Sequence, residues 1–399
     1  MTWGRRAWRL VEAARALDVL LTRRGEARAI LVDCRTPMNY AMVAPVHAAL
    51  AADTRVRVYV TSTESPARIR EIYRAAPPET IRITPRQAAC LRFDAYLAAD
   101  LLWAKLPRGT RRIQMFHGVG GKFSHDYDSP SSSMRRWDQL WFVNRRRMRN
   151  FIASGAIDAG SPAARLIGMP KVDCLVQGTL NRDEILTGLR LDPERPTVLY
   201  APTWTRTSSL NVMGIDVIDA LLARSWNVVV KLHDRSWDPR PFYSGGIDWP
   251  ARLRHLLAGR AGRVAIGADI CPYLAAADAM ITDHSSAGFE YLLLDRPLVR
   301  IHLPELLRTT HTSPEYVSLL AEASTSVETA EAAVDAVDAG LADPMERSAA
   351  RRAVAEELFY RPGTATARAL DELYRLIELA PPERLTHGSR AARGAPVLA

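Results

Sequence analysis

The stretch AMITDHSSAGFE at residues 279–290 decides the fold of this chain. Its first four residues form an apolar run that predicts a buried strand, and the polar residues after Thr282 predict a turn into a helix. Serine is a preferred N-cap residue, and the N–H groups of a helix N-terminus also bind phosphate. The stretch therefore predicts one strand-turn-helix unit of an α/β sheet, with either a structural cap or an anion site at Ser285 or Ser286.

Two other segments also end an apolar run with polar residues of the kinds that enzymes use. They are MFHGVGGK at residues 115–122 and VVVKLHD at residues 228–234. Ligands of open α/β sheets bind just beyond the carboxyl ends of the strands. Three strand ends of this kind, each carrying residues suited to phosphate, predict that they line one cleft.

The rest of the chain extends this pattern over two series of strands and helices. The candidate strands of the first series lie at 29–33, 56–60, 80–84, 95–103, 112–116, 140–143 and 164–168. Those of the second series lie at 197–201, 226–232, 263–267, 279–282 and 297–301, and only helices are expected after about residue 325. This alternation predicts βαβ units and two mostly parallel sheets, one in each of two Rossmann-like domains.

The pattern divides the chain into five parts. They are a basic amphipathic helix at 1–24, a first Rossmann-like domain at 25–175, a connector at 176–196, a second Rossmann-like domain at 197–380 and a disordered tail at 381–399. The N-terminal helix has a Trp-edged apolar stripe flanked by arginines. Such a helix either lies on an anionic membrane or packs on its own domain, and the sequence leaves both readings open.

The charge of the chain narrows the class of partner. The 399 residues carry a formal net charge of +9, which favours a nucleotide-linked substrate, an anionic membrane face or nucleic acid. The alternative is a set of solvated basic faces without a partner. No nucleic acid is expected, because the basic residues are dispersed and are not interleaved with aromatic residues.

The cysteines and the apolar runs indicate the compartment. The four cysteines form no CxxC pair, which argues against a zinc knuckle and fits a reduced, cytosolic protein. No apolar run is long enough to span a bilayer, and charged residues interrupt the N-terminal stretch where a signal peptide would be continuous. We therefore expect a cytoplasmic protein that is peripheral on the inner face of the cell membrane if its N-terminal helix binds lipid.

The glycine loop in MFHGVGGK supplies the candidate general base. Histidine titrates near neutrality, so His117 can accept a proton, although a histidine after a strand is also a common structural residue. Gly118, Gly120 and Gly121 allow backbone N–H groups to approach an oxyanion closely, and Lys122 adds positive charge. The glycines lack the spacing of the dinucleotide fingerprint, so neither NAD nor FAD is expected.

Two further residue sets suit a phosphorylated nucleotide. Strand alternation places Lys231 and His233 on one face, where both can contact a phosphate, and the alternative is a solvated strand end. Glu290 lies one turn into the helix that begins at the serines, in position to meet a ribose hydroxyl. No DxD-like acidic pair stands at a strand end with these motifs, and no essential metal is therefore expected.

Together the motifs resemble those of the CDP-glycerol glycerophosphotransferases, a family of teichoic-acid primases and polymerases. ITDHSSAGFEYLLLDRP (281–297) is similar to the family's ITDYSS signature, and VLYAPTW (198–204) to its LYAPTWR-type segment. GMPKVD (168–173), MFHGVGGK and KLHD (231–234) resemble its domain-junction segment, its HGT loop and its K-x-H-P segment. The matches follow the family's order and cover roughly residues 112–300.

The resemblance implies a GT-B fold, in which two Rossmann-like domains with parallel sheets face a central cleft. The first domain would hold the acceptor and the second the CDP-linked donor. His117 matches the loop histidine proposed as catalytic base, and His233 matches the second histidine, at the donor diphosphate. The resemblance also implies donor contacts for Ser285, Ser286 and Glu290, and we predict that Thr203, Lys231 and Asp283 bind the donor as well.

Four positions depart from the family pattern. Val119 stands for Thr and Gly120 for Pro in the glycine loop, Asp234 stands for Pro, and His284 stands for Tyr. The resemblance therefore supports binding of a nucleotide-linked donor more strongly than it supports the identity of the transferred group or of the acceptor.

The predicted function is transfer of glycerol phosphate, or of a related polyol phosphate, from a CDP-activated donor to a hydroxyl of a lipid-linked or surface-glycan acceptor. CMP is released. The CDP-linked donor is a substrate, so no cofactor is expected. One alternative is a GT-B glycosyltransferase or epimerase that acts on a nucleotide sugar, and another is a non-enzymatic binder of anions or nucleic acid.

Overall fold

Two sheets of parallel strands form the framework of the computed structural model, which describes residues 27–120 and 131–382. The predicted N-terminal helix at 1–24 and residues 383–399 of the predicted tail lie outside the described residues. Gly121 and Lys122 of the glycine loop lie outside them as well.

The first sheet has seven strands, and one of its interior strands is buried on both faces. The strands are β1 (Arg28–Asp33), β2 (Val56–Thr61), β3 (Ile81–Arg82), β4 (Ala95–Ala99), β5 (Arg111–Met115), β6 (Gln139–Phe142) and β7 (Ala164–Leu166). Their order is β3-β2-β1-β4-β5-β6-β7. Ile30, Leu31 and Val32 of β1 are all fully buried, as the continuous apolar run of a parallel strand requires.

The second sheet has six strands with the same parallel pairing. The strands are β8 (Thr197–Tyr200), β9 (Asn227–Val230), β10 (Gly262–Val264), β11 (Ala279–Thr282), β12 (Leu298–Ile301) and β13 (Thr325–Val327). Their order is β10-β9-β8-β11-β12-β13. The two-sheet α/β fold that the sequence predicts is therefore confirmed.

Two of the strand predictions need correction. The strand expected at 95–103 ends at Ala99, because Asp100 and Leu101 take left-handed backbone conformations with φ of 70° and 59°. The second sheet also has a strand that was not predicted, because β13 (325–327) pairs with β12 at the sheet edge. The described elements that follow β13 are helices, as expected after about residue 325. This three-residue strand is only partly buried and carries no apolar run, so its pattern is weak.

Helices cover the faces of both sheets. In the described part of the chain they are α1 (Pro37–Ala51), α2 (Ile69–Ile72), α3 (Pro85–Cys90), α4 (Ser131–Met134), α5 (Arg145–Ala153), α6 (Asp173–Gln177), α7 (Arg182–Gly188), α8 (Ser209–Leu222), α9 (Pro241–Ser244), α10 (Trp249–Leu256), α11 (Cys271–Ala276), α12 (Ala287–Tyr291), α13 (Pro304–Thr310), α14 (Pro314–Glu322), α15 (Ala330–Ala342), α16 (Ser348–Leu358) and α17 (Ala365–Leu376). Short 3₁₀ helices lie at Pro66–Arg68, Pro170–Val172, Asp234–Trp237 and Leu292–Leu294. None of the helices described combines the length and the apolarity that crossing a bilayer requires.

The last helix returns to the first half of the chain. The Tyr374 hydroxyl in α17 donates a hydrogen bond of 2.8 Å to Asp53 Oδ2, just after α1. At the other end of α17, the Asp173 carboxylate accepts hydrogen bonds from the N–H groups of Ala365 and Thr366 at 3.1 and 2.7 Å. The predicted domain boundary groups this helix with the second sheet, whereas its contacts tie it to the first half and the junction.

One hydrophobic cluster runs through the junction of the two halves. It contains Val32 of β1 and Leu175 of α6 together with Met280 of β11, Leu292 and Tyr374. A core shared in this way buries apolar surface from both halves at once. It packs elements of the two halves against one another.

Candidate functional site

The site residues come from the ends of neighbouring strands in each sheet. In the first sheet β1, β4 and β5 are adjacent, and Arg35, Asp100 and His117 follow them closely. In the second sheet β9, β8 and β11 are adjacent, and Lys231, Thr203 and Asp283 follow them in the same way. Carboxyl ends of parallel strands lie at one edge of a sheet, so each set forms one wall.

An Asp–His pair forms the centre of the first wall. His117 Nδ1 lies 3.2 Å from Asp100 Oδ1, and both side chains are partly exposed. The other carboxylate oxygen, Asp100 Oδ2, lies 3.3 Å from Nη1 of Arg35. The sequence interpretation missed Asp100, because it placed this residue inside a strand. The acidic residue at the end of the apolar run AYLAA was the available signal.

The backbone around Asp100 is held in an uncommon conformation. Consecutive positive φ angles at Asp100 and Leu101 are rare for residues other than glycine. The Gln114 side chain stabilises this turn, since its Oε1 accepts a hydrogen bond of 2.8 Å from the Leu101 N–H. Outliers of this kind concentrate at functional sites. The turn directs the carboxylate toward His117.

Charge around Asp100 favours its ionised form. Burial by itself would raise the pKa of this carboxyl group, but the hydrogen bond with His117 and the charges of Arg35 and Arg147 lower the pKa below its usual value. Asp100 is therefore an anion facing the imidazole over the whole physiological pH range.

Arg147 in α5 holds the glycine loop. Its Nη1 donates hydrogen bonds to the carbonyl oxygens of His117 at 2.8 Å and Gly118 at 3.4 Å. Gly120 has a φ of 77°, and a Cβ there would lie 2.9 Å from Arg147 Cδ. The glycine at this position thus permits the arginine to pack against the loop. Asn144 adds a bond of 3.0 Å from its Nδ2 to the Val119 carbonyl.

Lys231 and His233 both lie beyond the end of β9, which stops at Val230. The alternation argument for a common face therefore does not apply to them. The Lys231 ammonium is buried and donates a bond of 2.9 Å to the Leu232 carbonyl. Burial lowers its pKa. His233 Nδ1 accepts a bond of 3.1 Å from the Arg235 N–H and caps the 3₁₀ helix that follows.

Asp283 and Thr203 are connected to each other. The buried Asp283 carboxylate accepts hydrogen bonds from the Thr203 N–H at 2.8 Å, the Ser209 N–H at 3.1 Å and the Ser209 hydroxyl at 3.0 Å. It also accepts one from the His284 N–H at 2.7 Å. The predicted donor ligand Asp283 therefore acts as a positioning residue, which ties the loop after β8 to the loop after β11.

The two serines lie where the sequence predicts them, between β11 and α12. Ser285 is partly buried, and its Oγ accepts a hydrogen bond of 3.4 Å from the Ala287 N–H. Ser286 is exposed, and its side chain makes no capping bond to α12. The structural cap is therefore weak, and the Ser286 hydroxyl faces solvent at the strand end.

Glu290 forms a buried ion pair that bridges the two halves. Nζ of Lys171, in the 3₁₀ helix Pro170–Val172, lies 2.9 Å from Glu290 Oε1 and 2.7 Å from Oε2. Burial alone would lower the pKa of Lys171, but the Glu290 carboxylate raises it above its usual value. The sequence predicts a ribose contact for Glu290 and missed Lys171, which lies within GMPKVD. No pattern along the chain pairs residues that are 119 positions apart.

Across the described residues, no group of three or more His, Cys, Asp or Glu side chains is arranged to hold a metal ion. The chemistry that the two walls offer is acid–base and electrostatic. A histidine paired with a carboxylate stands on one wall, and hydroxyl, ammonium and imidazole groups stand on the other.

Comparison with known proteins places this geometry in a family. Residues 87–377 match the model of the CDP-glycerol:poly(glycerophosphate) glycerophosphotransferases. The chain belongs to this family. The family resemblance that the short motifs suggested is thereby confirmed over a range that includes Asp100, His117 and the second wall.

One curated relative is similar to this chain over part of the relative's length. The teichoic acid poly(glycerol phosphate) polymerase of Staphylococcus epidermidis is 25% identical over 207 residues, which are 48% of this chain and 26% of the relative. The chain thus matches about a quarter of that protein's length.

Solved structures show the fold of this family member. The wall teichoic acid polymerase TagF superposes with a TM-score of 0.63 at 16% identity, over 88% of this chain and 89% of that chain. A putative UDP-N-acetylglucosamine 2-epimerase from Listeria monocytogenes gives a TM-score of 0.57 at 13% identity, over 89% and 98% of the two chains. These likenesses confirm the predicted GT-B fold.

Proposed function

We propose that this chain transfers glycerol phosphate, or a related polyol phosphate, from a CDP-activated donor to a hydroxyl of an acceptor, with release of CMP. Family membership supports the reaction class. The observation that carries the proposal for this chain's own residues is the His117–Asp100 pair at 3.2 Å, because transfer to a hydroxyl needs a positioned base.

The pair determines which nitrogen of His117 is the base. When Nδ1–H donates to the Asp100 carboxylate, the neutral imidazole presents Nε2 as its acceptor. Nε2 removes the proton of the acceptor hydroxyl as its oxygen attacks the phosphorus distal to cytidine. The new O–P bond forms while the bond from that phosphorus to the bridging oxygen breaks, and the bridging oxygen leaves with CMP. Asp100 stabilises the imidazolium that results.

The second wall stabilises the charge on the donor diphosphate. The hydroxyls of Ser285 and Ser286, the His233 imidazole and the Lys231 ammonium supply donors at the ends of β9 and β11. Such preorganised groups act on charge that develops in the transition state. Asp283 keeps this wall in place through the loop that contains Thr203.

Glu290 binds a ribose hydroxyl of the donor while its carboxylate stays paired with Lys171. Both of its oxygens pair with Lys171, so a ribose hydroxyl has to share the carboxylate with the ammonium group. A carboxylate has enough lone pairs to accept from both partners. Donor binding is thereby linked to the ion pair that joins the two halves.

The proposal also covers the acceptor and the place in the cell where the protein works. The acceptor is a lipid-linked or surface-glycan saccharide, and the protein works at the inner face of the cell membrane. Supporting this location, the sequence of residues 1–24 predicts an amphipathic helix with an apolar stripe flanked by arginines. Flotation of the full chain with anionic vesicles, compared with neutral vesicles, tests this location. Equal recovery in the soluble fraction with both vesicle types would contradict it.

A second candidate is an enzyme that acts on a nucleotide sugar. The observation that favours it is the likeness to the putative UDP-N-acetylglucosamine 2-epimerase, at a TM-score of 0.57. Thermal unfolding with CDP-glycerol, CDP-ribitol and UDP-N-acetylglucosamine separates the candidates. Stabilisation by the UDP-sugar alone would favour the second one.

The decisive test of the first candidate measures turnover. The full chain is incubated with CDP-glycerol and lipid-linked saccharide acceptors, and CMP release and product mass are recorded. We expect CMP to appear only when an acceptor is present, with a product heavier by one glycerol phosphate. His117→Ala is the matched inactive control. Acceptor-independent release of CMP, with equal rates in both proteins, would contradict the proposal.

A further inference from the structure

A buried arginine lies beside the second wall without an acidic partner. Arg300 is the third residue of β12, and only 4% of its surface is exposed. Its Nη2 donates a hydrogen bond of 2.6 Å to the Ser326 hydroxyl. Its Nη1 lies 3.3 Å from His284 Nε2 and 3.1 Å from His302 Nδ1. Its Nε is buried and has no hydrogen-bond partner among the described residues.

The partners of Arg300 do not neutralise its charge. A serine hydroxyl is neutral, and an imidazole nitrogen accepts a hydrogen bond from a guanidinium only when that nitrogen is unprotonated. Within the described part of the chain, no carboxylate forms an ion pair with Arg300. Burial accordingly lowers the pKa of Arg300, and no acidic neighbour opposes that shift. Buried charges are ordinarily paired, because an unpaired one is costly.

The position of Arg300 connects this charge to the candidate donor site. Arg300 is the register partner of Thr282, the last residue of β11. His284 follows two residues later and immediately precedes Ser285. His302 follows β12 and is only partly buried. The three side chains therefore lie together at the carboxyl ends of β11 and β12, where ligands of such sheets bind.

We propose that Arg300, His284 and His302 form a phosphate-binding subsite next to the Ser285–Ser286 turn. The ligand is a phosphoryl group that carries negative charge, which supplies the missing partner of the guanidinium. Arginine suits this role because its planar group binds phosphate through two N–H bonds. Two sources have this chemistry, the diphosphate of the donor and the phosphate of a polyol-phosphate acceptor. The identity of the source rests on the proposed function, whereas phosphate binding itself does not.

A purely structural role predicts different behaviour. If Arg300 only joins β12 to β13 through Ser326, replacing it with an apolar side chain of similar length removes that bond and lowers the Tm. If it is an anion site, the same replacement removes an uncompensated buried charge. Replacement of buried ionic groups by apolar residues is often neutral or stabilising. The two roles thus differ in the sign of the effect when no anion is present.

Thermal unfolding of the full chain tests the proposal with inorganic phosphate as the probe. Wild type and Arg300→Met are compared in phosphate-free buffer and in phosphate, with sodium chloride added to equalise ionic strength. We expect saturating phosphate to raise the wild-type Tm by roughly 2–4 °C. Arg300→Met should show no phosphate shift, and its Tm without phosphate should equal or exceed that of wild type. Ser326→Ala, which keeps the charge, is the matched control and should retain the shift.

The result that overturns the proposal is an equal phosphate shift in wild type and Arg300→Met, or no shift in either. A lower Tm for Arg300→Met with an unchanged phosphate shift assigns the arginine a structural role. If Arg300→Met does not fold, His302→Ala removes the more accessible member of the subsite. It should at least halve the shift, and a full shift in that variant also overturns the proposal.

Calorimetry with CMP, CDP-glycerol and glycerol 3-phosphate then distinguishes the two sources. Loss of CDP-glycerol affinity in Arg300→Met, at unchanged CMP affinity, assigns the subsite to the distal donor phosphate. Loss of glycerol 3-phosphate affinity alone assigns it to an acceptor phosphate. Because these measurements record binding, they succeed or fail independently of CMP release in the turnover assay.

Discussion

His117 Nδ1 and Asp100 Oδ1 are 3.2 Å apart at the ends of two adjacent strands, β5 and β4. The strained turn at Asp100 and the bond from the Leu101 N–H to Gln114 hold the carboxylate in place. This relationship gives His117 a defined tautomer, in which Nε2 faces away from the carboxylate. The catalytic predictions below depend on it.

Asp100→Asn should lower kcat by about tenfold or more while leaving the KM for the donor nearly unchanged. The amide has a similar shape, but it does not stabilise the imidazolium, and its N–H₂ group favours the wrong tautomer. Steady-state kinetics with both substrates measure the split between kcat and KM. Glu64→Gln is the control, because Glu64 also pairs with Arg35, at 2.6 Å, and it forms no ion pair with His117. Equal losses in both variants would indicate that only the placement of Arg35 matters.

His117→Ala should reduce kcat by roughly 10²–10⁴-fold, the usual contribution of a positioned general base. Donor affinity should be retained, because the proposed donor contacts come from residues that follow strands of the second sheet. The His117 side chain is 39% exposed, so its loss should change the Tm little. Single-turnover kinetics measure the rate of transfer, and donor titration measures the donor affinity. A variant that turns over at the wild-type kcat would exclude His117 from proton transfer.

Ser285→Ala and Ser286→Ala should each weaken binding of the CDP-linked donor by about 1–2 kcal/mol, the range for a lost hydrogen bond to a charged group. The loss should be larger at Ser286, whose hydroxyl makes no capping bond to α12. Isothermal titration calorimetry of the single and double variants measures it. Thr325→Ala, on the edge strand β13, is a suitable control. Unchanged donor affinity in the double variant would locate the diphosphate elsewhere.

The Lys171–Glu290 pair should behave as a coupled unit in stability. Lys171→Met leaves the Glu290 carboxylate buried without its partner, and Glu290→Gln leaves the ammonium in the same state. Breaking a buried ion pair from one side costs about 3–5 kcal/mol. The double variant should regain a substantial part of that loss, which a double-mutant cycle from urea unfolding measures. Additive losses would mean that the two groups do not interact in solution.

Asp33 should make the protein less stable as the pH rises from about 4 to about 6. Burial raises the pKa of this carboxyl group to about 6, against the opposing hydrogen bonds from Thr63 and Tyr96. Between the unfolded and folded pKa values the folded state binds more protons, so the free energy of unfolding falls with rising pH. The change is about 3 kcal/mol in total. Urea unfolding across this pH range should show a smaller fall for Asp33→Asn than for wild type.

Asp53 is a suitable control, because its pKa is shifted in the opposite direction to that of Asp33. Its hydrogen bonds with Arg55 and Tyr374 lower its pKa to about 2. Its stabilising contribution is therefore present above the usual carboxyl pKa and is lost as the pH falls through about 2. Asp53→Asn should leave the slope between pH 4 and 6 unchanged. An identical slope in wild type and Asp33→Asn would contradict the assignment of the titration to Asp33.

All the strands of the two sheets except β13 could be predicted from the sequence, because each of them is a local feature. A run such as AILVD or AMIT is continuous, apolar and followed by polar residues, and these properties persist whatever it packs against. The same holds for His117, which directly follows such a run, and for the serines at 285–286, which follow one after two residues. The short edge strand β13 was missed because three partly exposed residues carry too little pattern.

The sequence by itself thus determined that the chain forms two parallel sheets. It also determined which strands are followed by polar residues. Only the tertiary structure decided which of those groups meet. Lys171 and Glu290 are brought together across the junction, Asp100 turns toward His117, and Arg300 lies between His284 and His302. Local pattern encodes which face of an element is buried, whereas the partner of a buried charge depends on how distant elements pack. The energy of such a pair depends on that packing, because burial removes the water that would otherwise solvate each charge.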